Sequence, residues 1–198
     1  MKVEIVPHNP LWKSKFLEIK GEVQNILSVL SPKIEHIGST SIDELWAKPV
    51  IDVLVGIDEI NLDETTVLLK NTSYVYVKAF TEEMPERRFF IRLKDGYDFK
   101  QEITTVSQID ENINSNKIAH IHIVGHNSEF WFRHMAFREY LKAHQNAKEE
   151  YQQLKKKLSE VEWNHPFEFN EAKSAFIQLH QSKAISWYKN QLENGNKI

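Results

Sequence analysis

The chain has 198 residues, 41% of them hydrophobic and 27% charged, with a formal net charge of -3. That is the make-up of an ordinary globular protein long enough to bury a sizeable core. A charge so near balance gives no reason to expect nucleic acid or an anionic membrane as partner, and the lack of cysteine excludes disulfides and thiolate chemistry.

The N-terminus reads MKVEIVPHNP, without the apolar stretch or small-residue cleavage site of a secretory leader. No apolar run approaches the ~18 residues of a membrane span. The expectation is a cytoplasmic protein, monomer or weak homodimer, forming a single domain over 1–198. A mixed-sheet core with an N-terminal helix is expected over 1–125 and a helical extension over 126–198.

After Pro10, residues Trp12, Phe16, Ile19, Val23, Ile26, Leu27 and Leu30 recur at steps of three and four, so one face of a helix is buried. Ser31-Pro32 closes it. Ile34 to Ile37 then reads as a short strand, and Val50 to Ile57 as a long β-branched one. Strand side chains alternate, so Ile51, Val53, Val55 and Ile57 share one face and Asp52 shares the other with Val50 and Leu54. Leu62 to Lys70 reads as a connecting helix, with strands at Tyr74 to Val77 and Arg88 to Leu93. Residues 94–117 are polar and mixed, either a lid over a site or a surface insertion. In Ala119 to Val124, AHIHIV, His120 and His122 share one face. From Asn127 the pattern is helical, capped by Asn127 or Ser128. The three helices carry Phe130 to Leu141, Tyr151 to Leu158, and Ala172 to Tyr188. Lys155, Lys156 and Lys157 stand among glutamates and read as a solvated helix face.

Several residues can carry chemistry. Gly38-Ser39-Thr40 follows a strand; such a turn can hold a phosphate on backbone N–H groups and hydroxyls, or can be an ordinary capped turn. A carboxylate inside a sheet must be paired, hydrogen-bonded or on a metal, so Asp52 is either a structural ion-pair partner or a Mg²⁺ ligand facing phosphates. His120 and His122 can converge on a metal, a phosphate or a carboxylate, or merely line a polar strand face. Arg87, Arg88 and Arg92 can bind phosphate or pair with Glu82, Glu83 and Glu86. The run FWFRHMAF reads as core, with Arg138 a further candidate among aromatic residues.

EHIGSTS, AKPVIDVLVGI, HIHIV and FREYLKAHQNAKEEYQQLK, in that order, resemble the GrpB family, and the likeness runs from PHNPLW to FNEAKSAFIQ. The resemblance implies an α/β (α+β) nucleotidyltransferase-like fold, a mixed sheet flanked by helices with a helical C-terminal third. In that fold a Gly-Ser turn precedes a strand with catalytic carboxylates. Fusion of some members to dephospho-CoA kinase points to nucleotide or coenzyme metabolism by association. Carried over, the family's motifs fall on His36, Gly38, Ser39, Thr40, Lys48, Pro49, Asp52, His120, His122 and Arg138. This chain departs from the family at Ile42-Asp43-Glu44-Leu45 and at Glu139, and from the wider superfamily at Leu54, which stands where a second metal-binding carboxylate is usual.

The resulting expectation is a metal-dependent nucleotidyl or phosphoryl transferase acting on a nucleotide or coenzyme-like small molecule. Asp52, His120 and His122 would be catalytic, and Asp52 and His122 would hold Mg²⁺. His36, Gly38, Ser39, Thr40, Lys48, Arg88 and Arg138 would bind phosphate. A non-catalytic nucleotide-binding module on the same fold, or a protein that docks partners through its terminal helices, are the alternatives.

Overall fold

A computed structural model describes residues 2–97, 100–164 and 166–195, with the side chains of 166 and 167 left aside. Residues 98 and 99 of the polar segment therefore lie outside the described residues.

The chain forms two compact units, one built from Leu11–Ile37 and Val50–Trp131 and the other from Met1–Pro10, Gly38–Pro49 and Phe132–Ile198. The first holds a six-stranded mixed sheet: β1 (Lys33–Ile37), β2 (Ile51–Ile57), β3 (Tyr74–Val77), β4 (Arg87–Leu93), β5 (Glu102–Ile103) and β6 (Lys117–Gly125), in the order β1-β2-β6-β4-β3-β5. The β2–β6 and β3–β5 pairs are parallel and the rest antiparallel. The strands expected from alternation are all present. The segment 94–117 adds β5 and the short helix α3 (Glu111–Asn116), whose N-cap Asp110 accepts a hydrogen bond from Ile113 N at 2.9 Å. The two-residue β5 is too short to show alternation.

Registers fix the faces, because directly paired residues point the same way. Asp52 is opposite His120, Leu54 opposite His122, and Phe89 opposite His122. One face thus carries Asp52, Leu54, Gly56, His120, His122, Arg87, Phe89 and Ile91. The other carries Val53, Val55, Ile121, Ile123 and Phe90, and is packed by helices α1 (Leu11–Ile26) and α2 (Leu62–Leu68). Trp12, Phe16, Ile19 and Val23 of α1 are buried there, as their spacing predicts. Arg92 lies on this face too. It is 5% exposed and bonded to Glu22 of α1 at 3.1 Å and to Asp95 at 2.8 Å.

The second unit is helical. It holds most of α4 (Glu129–Ala143), then α5 (Gln145–Ser159), α6 (Pro166–Glu171) and α7 (Ser174–Glu193). Its core joins Ile42 and Leu45 to Ala136, Tyr140, Leu141, Ala147, Tyr151 and Ala184, and Phe176, Ile177, Ile185, Trp187 and Tyr188 of α7 pack against it. Val6 and Ala47 exchange backbone hydrogen bonds of 2.9 and 3.0 Å, which ties the N-terminal segment to the 38–49 loop. No helix among the described residues is long and apolar enough to cross a membrane.

Candidate functional site

The residues expected to form a site divide between the two units. In the sheet unit, Asp52 of β2 and His120 of β6 meet side by side, Oδ1 to Nδ1 3.0 Å, and both are half-buried. An ionised carboxylate only accepts, so Nδ1 of His120 donates to it, and in the neutral ring the lone pair is then on Nε2. Two residues along β6, His122 Nδ1 lies 3.4 Å from Arg87 Nη1. A guanidinium only donates, so here Nδ1 accepts and Nε2 carries the proton. The two imidazoles have their centroids 6.5 Å apart and their rings near-perpendicular, and when neutral their neighbours favour opposite tautomers.

Aromatic rings fix this arrangement. Phe89 of β4 stands between the histidines, 5.5 Å from His120 and 5.0 Å from His122, and Phe130 of α4 lies 5.8 Å from His122. The Arg87 guanidinium sits over Phe80, Phe89 and Phe130 at 5.9, 5.2 and 5.6 Å, which keeps a cation next to His122. Trp131, at the start of α4, can approach this face because β2 has glycine at 56: a Cβ there would come within 2.7 Å of the Trp131 ring and 2.8 Å of His126 Cβ. Ser128, named from sequence as a cap, accepts from Trp131 N at 3.2 Å and sets the start of that helix.

The pleat separates two expected phosphate ligands from this cluster. His36 pairs with Val53 and Arg88 with Ile123, so both belong to the opposite face. There His36 stacks on Phe16 of α1, centroids 4.6 Å apart and rings 7° from parallel. Arg88 is bonded to Asp63 of α2 at 2.7 Å. Arg87, one residue earlier, faces the histidines instead. The alternation of Arg87 and Phe89 signals this once the register with His122 is known.

The second unit holds Gly38, Ser39, Thr40, Lys48 and Arg138. Gly38 has φ 71° and ψ -174°, a conformation that only glycine adopts freely, and opens a 3₁₀ turn over Ser39–Ser41. Thr40 is buried, whereas Ser39 and Lys48 are half-buried. Arg138 Nε donates to its neighbour Glu139 at 2.6 Å, and Lys142 donates to the same oxygen at 3.1 Å. The two extra carboxylates of the loop are engaged, Asp43 3.6 Å from His8 and Glu44 3.0 Å from Lys148.

Lys155 overturns the solvated-face reading for this residue. It is 3% exposed and continues the buried line of Ala147 and Tyr151 at four-residue steps. Its Nζ donates to the Trp46 carbonyl and lies 3.0 Å from Ser39 Oγ. Burial, aided by the like charge of Lys173, pulls its pKa down to about 7. The same helix face grips the loop throughout: Gln152 accepts from Trp46 N at 3.0 Å and Lys156 lies 3.9 Å above the Trp46 ring.

Comparison with known proteins agrees with this architecture. The sequence model of the family described as GrpB protein matches residues 2–183. This chain belongs to the GrpB family. It is 28% identical over 176 residues to the glutamate-rich protein GrpB of Alkalihalophilus pseudofirmus, covering 89% of this chain and 92% of that one. It is 31% identical over 192 residues to YqkA of Bacillus subtilis, covering 95% of this chain but 49% of YqkA, so it spans about half that relative's length. The crystal structure of the conserved protein GrpB from Enterococcus faecalis superimposes with a TM-score of 0.73 at 28% identity, covering 93% of this chain and 99% of that one.

Proposed function

We propose that this GrpB-family chain is a nucleotidyl or phosphoryl transferase of nucleotidyltransferase-like fold, acting on a nucleotide or coenzyme-like small molecule at the Asp52 face of its sheet. The observation that carries the reading is the placement of the two imidazoles, His120 beside the Asp52 carboxylate and His122 beside the Arg87 guanidinium. His120, oriented by Asp52, presents a basic nitrogen suited to taking a proton from an attacking hydroxyl. His122, oriented by Arg87, presents an N–H suited to a phosphate oxygen, and the guanidinium beside it adds positive charge where negative charge builds up.

Among the described residues, no group of three or more His, Cys, Asp or Glu stands ready to hold a metal ion. A Mg²⁺ that keeps its waters and is shared with phosphates needs only one or two carboxylates, and Asp52 fits that demand. When bound there, Mg²⁺ would neutralise phosphate charge. His122 fits the metal role less well, because its neighbour is the Arg87 cation. A two-metal site does not fit, since Leu54 is fully buried where a second carboxylate would stand. That same Leu54 favours the second reading, a module that binds such a ligand without transferring a group. The partner-docking reading has less support, because Phe176, Ile177, Ile185, Trp187 and Tyr188 of α7 pack against the unit's own core while Leu179 and Leu192 alone of its large aliphatic residues stay exposed.

The test is thermal stability against nucleotides and coenzyme A precursors, with and without Mg²⁺, for the wild type and Asp52→Ala. A ligand at ~100 times its Kd adds about 2.7 kcal/mol to the wild type. A shift that Asp52→Ala abolishes supports the site, and product formation then separates transferase from binding module. A shift of equal size in Asp52→Ala would overturn it.

A further inference from the structure

The contact between Ser39 and Lys155 plays no part in the reading above and rests on different residues. Among the described residues no carboxylate pairs with Lys155: Glu44 is held by Lys148, Asp43 faces His8, and Glu150 faces His180. The groups that do face Lys155 are the Ser39 hydroxyl, the Trp46 carbonyl, the Tyr151 ring at 4.6 Å, and the like charge of Lys173. An ammonium in that setting is desolvated and uncompensated by any anion, so the neutral amine is favoured, and burial with Lys173 brings the group down to about 7. A neutral amine has a single lone pair. The Trp46 carbonyl can only accept and so takes an N–H, while Nζ stands 3.0 Å from Ser39 Oγ, within reach for its lone pair to accept the Ser39 O–H once the amine is neutral. Ser39 is half-buried beside the exposed Gly38, so its hydroxyl is within reach of solvent while its base is shielded.

We propose that Ser39 and Lys155 form a nucleophile and general-base pair that accepts an acyl group from small, uncharged, activated esters. Ser39 Oγ attacks the carbonyl carbon while its proton passes to Lys155 Nζ. The C–O bond to the leaving group breaks, the leaving oxygen takes the proton back from Nζ, and an ester on Ser39 remains. Water, deprotonated by the same amine, then releases the carboxylic acid and restores the serine. An uncharged ester suits the place better than a phosphate, because the carboxylates of Asp43 and Glu44 follow the turn and are 97% and 79% exposed.

The experiment incubates the full chain with p-nitrophenyl acetate, follows nitrophenolate release from pH 5 to 9, and maps the acetyl group by mass spectrometry. The expected result is a burst with acetyl on Ser39, its rate rising through pH about 7 to a plateau. Ser39→Ala abolishes that adduct, and Lys155→Met and Lys155→Arg slow it by about 100-fold or more. Equal rates in Lys155→Met, or acetyl only on surface lysines, overturn the pair. Should the Lys155 variants fail to fold, the wild-type profile decides alone. A plateau above pH about 7 supports the pair, and a rate still climbing at pH 9 overturns it.

Discussion

Asp52 and His120 stand opposite each other in the parallel β2–β6 register, with Oδ1 and Nδ1 3.0 Å apart. The carboxylate placed inside a β-branched strand is therefore paired, and its partner is an imidazole on the neighbouring strand. Two residues along, the buried Leu54 faces His122, and that histidine takes its orientation from Arg87.

Nitrogen chemical shifts of the imidazoles read this arrangement directly. Above pH ~7.5, where an ordinary histidine is neutral, His120 is expected as the Nδ1–H tautomer and His122 as the Nε2–H tautomer. Asp52→Asn should relax the preference of His120 and leave His122 unchanged. Identical tautomers in the wild type would contradict the site geometry.

Gly56 tests how α4 reaches the histidines. Gly56→Ala places a methyl 2.7 Å from the Trp131 ring, closer than real contacts allow, so the helix start must shift. Overpacking of this kind costs about 1–3 kcal/mol, and Phe130 should move off His122. Thermal unfolding and the His122 shifts check both effects. A fully stable variant with unchanged shifts would show that α4 does not depend on this close approach.

The strand faces were legible in the sequence because strand side chains alternate, which set both histidines of AHIHIV on one face and Asp52 of IDVLVGI on the face of Val50 and Leu54 before any register was known. Which strands are neighbours was not legible, and that is what joins Asp52 to His120 rather than to His122. The same gap put Arg88 rather than Arg87 among the expected phosphate ligands, although the pleat sends Arg87 to the histidines and Arg88 to Asp63. His36 sits beside the Gly-Ser-Thr motif in sequence, yet its odd step from Ile37 turns it toward Phe16. Lys155 was missed for another reason. A lysine among lysines and glutamates carries no hydrophobic signal, and only its four-residue spacing from Ala147 and Tyr151 marks it as a core position.

Glu22 anchors a buried arginine. Burial pushes the Glu22 carboxyl up, but hydrogen bonds from Arg92 and Tyr74 outweigh it and hold the group below its ordinary value. A folded-state pKa below the unfolded one adds stability above the unfolded value, near 4.5, and that stability is lost as pH falls through the folded value. Glu22→Gln should cost about 1 kcal/mol near neutral pH by weakening a charged hydrogen bond to Arg92 that solvent partly screens. The difference from wild type should shrink below pH 4.5. Denaturant unfolding at pH 7 and pH 3.5 checks it, and a gap that widens in acid would contradict the assignment.

Lys155 supplies the opposite dependence. In the unfolded chain its amine holds a proton up to about 10.5, whereas in the folded chain it gives the proton up near 7. Between those values the unfolded state binds more protons, so this group makes stability rise with pH, by at most about 1.4 kcal/mol per unit. Lys155→Met keeps an unbranched side chain against Tyr151 and removes the desolvated amine. The variant should therefore be more stable than the wild type at pH 7, and that advantage should fall by about 2 kcal/mol by pH 9 as the wild-type amine becomes neutral in the folded state. Other titrating groups are common to both chains and cancel in the difference. Parallel stability curves from pH 7 to 9 would mean that Lys155 keeps its proton when folded, and would remove the basic nitrogen assigned to it beside Ser39.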